Sequence, residues 1–160
     1  MNEMAQQRGD VFLGNQTLRL RNLITEMNNC CEDRHLIEKR KFSLPIAEMK
    51  CIVLFKEEKY LTVKGISMKL EVAKSRVTKL IDNLSRKGLV NKINDPDDGR
   101  IRLISLSPKG KVLVEEIQDF QEQLYEEILI LFDEQERTNI LSNLETLRSA
   151  MEVVKNRYEL

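Results

Sequence analysis

Ser75, Arg76, Thr78 and Lys79 bring two hydroxyls and two cations into a five-residue stretch. Base edges in a DNA major groove offer donors and acceptors, and the flanking phosphates call for positive charge. That mixture on the first turns of a helix therefore suits the reading of duplex DNA. Lys74 adds a cation where the free amides of a helix N-terminus can hold a phosphate. Any one of these residues alone reads as ordinary exposed surface, so the argument rests on the group. A second group lies in Asp95-Pro96-Asp97-Asp98-Gly99-Arg100, between two β-rich runs of the segment 89–106. Pro96 cannot continue a strand ladder and Gly99 supplies positive φ, which predicts a hairpin turn. Arg100 and Arg102 leave that turn charged, as a wing entering a minor groove would need. Asp98 is expected to orient Arg100, and Asp95 to cap the turn. The plainer alternative for Asp98 and Arg100 is a surface ion pair worth under about 1 kcal/mol.

A third group is Cys30, Cys31, Glu32 and His35. Cys31 and His35 fall one turn apart if the helix carrying them extends that far, a spacing that suits Zn²⁺ or Cu. With a single histidine and no C-x-x-C pair, such a site would have to borrow Glu32, Cys51 or a second subunit. The expectation is therefore no metal and no cofactor, with Cys31 and Cys51 as small core residues and His35 in a loop. Vicinal Cys30 and Cys31 as an oxidant sensor is the secondary reading. The chain lacks a P-loop, a G-x-G-x-x-G, an H-E-x-x-H and a nucleophile elbow, so no enzyme activity is expected. Glu115-Glu116 and Glu126-Glu127 occupy adjacent helix positions that face different ways, and read as solvated surface.

The elements that must hold these groups follow from periodicity. Leu20, Ile24, Met27 and Cys31 step as one helical stripe, predicting a first helix over 11–32, with 33–42 as a fraying end and loop. Ser43 is expected to cap a second helix with Pro45 in its first turn, running to about Glu57 and apolar on nearly all sides. Thr62 is a predicted N-cap for a short helix over 63–70, followed by a turn at Glu71-Val72-Ala73. The next helix, 74–87, sets Val77, Leu80, Ile81 and Leu84 on one face and stops at Gly88, where an αL residue closes it. After the wing, Ser107-Pro108 starts a fifth helix, and Asp133 a sixth carrying Ile140, Leu144, Leu147, Met151 and Val154. Two helices of roughly 25 residues would extend about 40 Å, too far for one small core to cover both seams, so dimerisation is expected to bury them.

The 160 residues carry 26 positive and 26 negative side chains, yet the balance is uneven. Residues 61–111 hold 12 positive and 5 negative, whereas residues 112–160 hold 4 and 12. Cations gathered in one central element provide localised phosphate contact without general stickiness toward nucleic acid. Met1 to Asp10 is polar with no apolar run after it, three cysteines suggest no disulfide framework, and no segment approaches the length of a membrane span. A cytoplasmic protein without membrane association is expected.

In this order and register, Leu61-Thr62, Ser75-x-Val77-Thr78-x-Leu80-Ile81-x-x-Leu84, Lys87-Gly88-Leu89-Val90, the 95–100 turn and Leu106-Ser107-Pro108-Lys109-Gly110 resemble the MarR (multiple antibiotic resistance regulator) family of winged-helix transcription factors. The resemblance covers most of the chain. It departs at Asp97, where the family often has its first wing arginine, at Glu71, where the turn usually has glycine, and at Ala73, where a serine often caps the recognition helix. It implies a mainly α fold with a small β-hairpin wing, a winged helix-turn-helix with long N- and C-terminal dimerisation helices. By that reading residues 1–42 are an arm and dimerisation helix, 43–110 the DNA-binding region and 111–160 further dimerisation helices. The implied function is a homodimeric regulator, a repressor by the resemblance, on a pseudo-palindromic double-stranded operator. It would answer to a small anionic or phenolic effector or, on the separate reading of Cys30 and Cys31, to oxidation. Thr62, Lys74, Ser75, Arg76, Thr78, Lys79, Asp98, Arg100 and Arg102 are the expected DNA-binding residues. The competing reading is a winged-helix protein-interaction module that no longer reads DNA.

Overall fold

The computed structural model describes residues 3–94 and 102–158, with side chains from Leu13 onward. In chain order it holds α1 (Glu3–Phe42), α2 (Ile46–Ile52) continued by a 3-10 turn (Val53–Lys56), and β1 (Leu61–Thr62). Then come α3 (Val63–Leu70), α4 (Lys74–Arg86), β2 (Val90–Asn94), β3 (Arg102–Leu106), α5 (Pro108–Leu129) and α6 (Glu134–Asn156). The fold is mainly α with one small antiparallel sheet, as expected. The chain divides into two compact units, one up to Val114 and one from Glu115.

The first unit is built on side chains from short helices that cannot stand alone. Met49, Cys51, Ile52 and Phe55 from α2 and its 3-10 turn, Ile66 from α3, and Val77, Leu80, Ile81 and Leu84 from α4 are all buried. Each such side chain contributes about 1.5–3 kcal/mol of burial, which is what holds helices of 7, 8 and 13 residues in place. Across the sheet β3 is central, with β1 and β2 antiparallel on either side. Val90 faces Leu106, Lys92 faces Ile104 and Leu61 also faces Ile104, so one sheet face carries Leu61, Val90 and Ile104 into the core.

Several expectations are corrected. The first helix does not fray at Asp33: it runs unbroken to Phe42. The charged stretch stays helical with Glu38 buried to 1 % exposure and Arg34 Nε 3.9 Å from its carboxylate, one turn away. His35 is accordingly helical, not in a loop, and Cys31 is exposed, not core. Ser43 does not cap α2; its φ of 49° places it in the left-handed region just past α1. Pro45 takes the N-cap position with no side-chain hydrogen bond, and α2 gives way to 3-10 geometry after Ile52 instead of reaching Glu57.

The second unit begins inside α5 and contains α6. Asp133 and Glu136 form a reciprocal capping box at the start of α6. Arg137 Nε donates to the carbonyls of Leu129 at 2.8 Å and Phe132 at 2.9 Å, satisfying oxygens that the end of α5 leaves open. No residue of α6 is buried, and Leu144, Met151 and Val154 stand exposed, as do Leu20, Leu23 and Met27 on α1. Among the described residues no helix is long and apolar enough to cross a membrane.

Candidate nucleic-acid interface

Thr62 does cap α3, accepting from the Gly65 amide at 3.0 Å. At the far end Glu71 takes the left-handed conformation, φ 52° and ψ 42°. The Val72 amide reaches back to the Ser67 carbonyl at 3.2 Å. Ser67 Oγ also donates to the Val72 carbonyl at 2.6 Å, so the turn is tied down twice although no glycine occupies it. Ala73 then precedes α4 without a side-chain cap: the Arg76 amide turns back to the Ala73 carbonyl at 2.9 Å, and no capping side chain takes up the amides ahead of it.

On α4 the buried stripe fixes which side faces outward. At 100° per residue, Ser75 and Lys79 lie opposite Val77, Leu80, Ile81 and Leu84, together with Asp82 and Arg86; Thr78 falls to one side and Arg76 to the other. Ser75, Arg76, Thr78 and Lys79 are all exposed. Thr78 Oγ1 donates to the Lys74 carbonyl at 3.0 Å, so its hydroxyl is left to accept. Arg76 lies on the flank toward α2, where with Lys50 it borders an apolar hollow of about 430 Å³ lined also by Ile46, Ala47, Leu70, Val72 and Leu80.

The hairpin meets the same face of α4. Period-2 alternation puts Lys92 and Arg102 on the sheet side that carries Val90 and Ile104. Lys92 Nζ bonds the Asp82 carboxylate. That hydrogen bond, with the charges of Lys92, Arg86 and Arg102, holds the Asp82 carboxyl below the usual carboxylate value. A carboxylate that would repel phosphate is thereby neutralised from three sides. Asp82, Arg86 and Lys92 were not singled out from the sequence, although the two periodicities together would have placed them side by side. Asp98 and Arg100, with the rest of 95–101, lie outside the described residues.

The hairpin base is fastened to the end of α4. Gly88 has φ 71°, its amide reaches the Ser85 carbonyl at 2.9 Å and the Leu89 amide reaches that of Leu84 at 2.9 Å, the two bonds of a Schellman motif. Ser107 Oγ donates to the Gly88 carbonyl at 2.7 Å and accepts from the Gly110 amide at 2.9 Å, while its own amide donates to the Leu89 carbonyl at 3.0 Å. A Cβ on Gly110 would sit 2.0 Å from the Leu89 carbonyl oxygen, which explains the glycine.

This arrangement of helix, turn, recognition-type helix and hairpin is matched at the sequence level, where residues 44–101 fit the model of the MarR family. The segment 44–101 is a MarR family domain. Its fold recurs in "The structure of a MarR family protein from Bacillus stearothermophilus", with a TM-score of 0.75, 23 % identity, and 86 % of this chain covering 96 % of that one. It recurs also in Streptococcus pneumoniae FabT in complex with DNA, with a TM-score of 0.75, 21 % identity, and 84 % of this chain covering 99 % of that one. Among curated proteins, an uncharacterized HTH-type transcriptional regulator of Bacillus subtilis, YsmB, is 29 % identical over 76 residues. That match takes in 48 % of this chain and 52 % of YsmB, so the chain spans about half the length of this relative. The matched segment takes in the elements from α2 to β2.

Cys30 and Cys31 are exposed free thiols on α1, and Cys51 is a buried one. Burial first, and then the charge of Glu48, push the Cys51 thiol up to about 12. Among the described residues no group of three or more His, Cys, Asp or Glu side chains is placed to hold a metal ion, so Cys31 and His35 gain no third ligand.

Proposed function

We propose that this chain is a DNA-binding transcription regulator, acting in the cytoplasm as a homodimer and repressing from a pseudo-palindromic operator. The observation that carries the reading is the outward face of α4. Ser75 and Lys79 stand opposite the buried stripe, with Arg76 and Thr78 on its flanks, uncapped amides and Lys74 at its start, and Lys92 and Arg102 beside it on the hairpin. Phosphate contacts from Lys74, Thr62 and the hairpin would set the register, base-edge contacts from Ser75, Arg76, Thr78 and Lys79 the sequence, and Arg100, oriented by Asp98, the minor groove. Residues 43–110 would do the reading, and helices from 1–42 and 111–160 would pair with a second copy through their open apolar faces. A small anionic or phenolic effector would shift the spacing of the two reading heads. The hollow under Lys50 and Arg76 offers it apolar walls and two cations within the head itself.

Selection of bound sequences from a random duplex pool, followed by fluorescence anisotropy on the winner, tests this. An inverted repeat is expected. Affinity should fall steeply with salt, and Lys79→Ala should flatten the salt slope by about one unit. Arg100→Ala should weaken binding while leaving Tm nearly unchanged. Recovery of no sequence, with no salt-dependent binding, would leave the interaction-module reading in place.

A further inference from the structure

We infer that Glu48 is a positioning residue for the reading face: from its buried place on α2 it sets the angle of α4 about its own axis. The inference rests on the DNA-reading role proposed above. Glu48 is 3 % exposed. Its Oε1 accepts from Asn83 Nδ2 at 3.0 Å and its Oε2 from Lys87 Nζ at 2.5 Å. Asn83 and Lys87 are one turn apart on the same flank of α4, so the two bonds resist both roll and slide. The Oδ1 of Asn83 in turn accepts from Arg86, which stands on the outward face.

The apolar stripe cannot do this alone. Val77, Leu80, Ile81 and Leu84 decide which side is buried, but hydrophobic contact is non-directional and leaves a small roll open. A roll of about 20° carries a side-chain tip about 6 Å from the axis through about 2 Å, enough to take a base contact out of hydrogen-bond range. Nor does stability account for the carboxylate, because a buried ion pair contributes little more than an apolar side chain of similar size. What two directional bonds add is a defined angle.

Glu48→Gln tests this with shape kept. Its amide can still meet Asn83, but its NH₂ then confronts the Lys87 ammonium. Two duplexes are titrated at one salt concentration, the sequence selected by the wild-type protein and a scrambled version. The expected result is a loss of about tenfold on the selected duplex, comparable to one mismatched base pair, with the scrambled affinity unchanged. Asn83→Ala should show the same split, and the double variant should be no worse than Glu48→Gln alone. Proportional loss on both duplexes, or no loss on either, would overturn the inference. Should Glu48→Gln fail to fold, Asn83→Ala, at a partly exposed position, carries the same test. A DNA-free arm compares methyl resonances: those of Val77, Leu80 and Ile81 should shift in Asn83→Ala and Glu48→Gln while that of Ile104 stays. If the wild-type chain selects no duplex, the function proposed above fails, and this arm alone decides whether Glu48 sets α4; unmoved α4 methyls would sink it.

Discussion

Glu71 holds a backbone conformation that penalises any residue with a Cβ, and it does so without help from its side chain's chemistry. Glu71→Gly removes that penalty and adds some unfolded-state entropy, for a net gain of about 0.5–1 kcal/mol. A rise of roughly 2–3 °C in Tm is expected by calorimetry, and a fall would mean that the Glu71 side chain itself stabilises the turn. Cys51 presents the opposite case, a side chain silenced by its surroundings. With its thiol pushed up to about 12 it stays protonated at neutral pH. Iodoacetamide at pH 8 should label exposed Cys30 and Cys31 and spare Cys51 until the protein unfolds, as mass spectrometry would show. The linkage has a definite sign. The unfolded chain gives up this proton near pH 9 while the folded chain keeps it, so stability is full below about pH 9 and falls by up to about 1.4 kcal/mol per unit as pH rises toward 12. Cys51→Ala should flatten that alkaline limb of the stability profile.

Elements were legible where a local signal and the tertiary need coincide. Thr62, Gly88, Ser107-Pro108 and Asp133 each announce a helix boundary through the chemistry of a cap, and the structure places a boundary at each. Residues 33–42 offer no apolar stripe to a periodicity argument, and the buried Glu38 with Arg34 one turn before it can be seen only in the folded chain. Leu61-Thr62 was read as a helix start and not also as a strand, because a two-residue strand exists only through its pairing with β3. The outward face of α4 could be drawn from periodicity, whereas the Glu48 clamp joins positions 35 and 39 residues apart, a separation that spacing cannot register. Gly110→Ala belongs to this scale. Its Cβ would meet backbone 2.0 Å away, with no flexible side chain to yield, so α5 must shift from the helix–hairpin junction. A loss of more than about 2 kcal/mol is expected from the urea midpoint, against about 1 kcal/mol of helix propensity gained.

For the whole molecule, zero net charge conceals a basic centre and an acidic C-terminal stretch, and the apolar residues of α1 and α6 exceed what the described chain covers. Under the proposed function a second copy buries them. Sedimentation at micromolar concentration should give twice the chain mass, and Leu144→Glu with Met151→Glu should return it to the single-chain value. A single-chain mass for the unmodified protein would contradict the pairing. Ser107 gives the proposed regulation a mechanical basis. Its hydroxyl has both its proton and a lone pair committed, so a single oxygen atom welds the first turn of one helix to the exit of another with no slack between them. Under that proposal, a displacement of the first turn of α5 would pass through this one oxygen to the root of the hairpin.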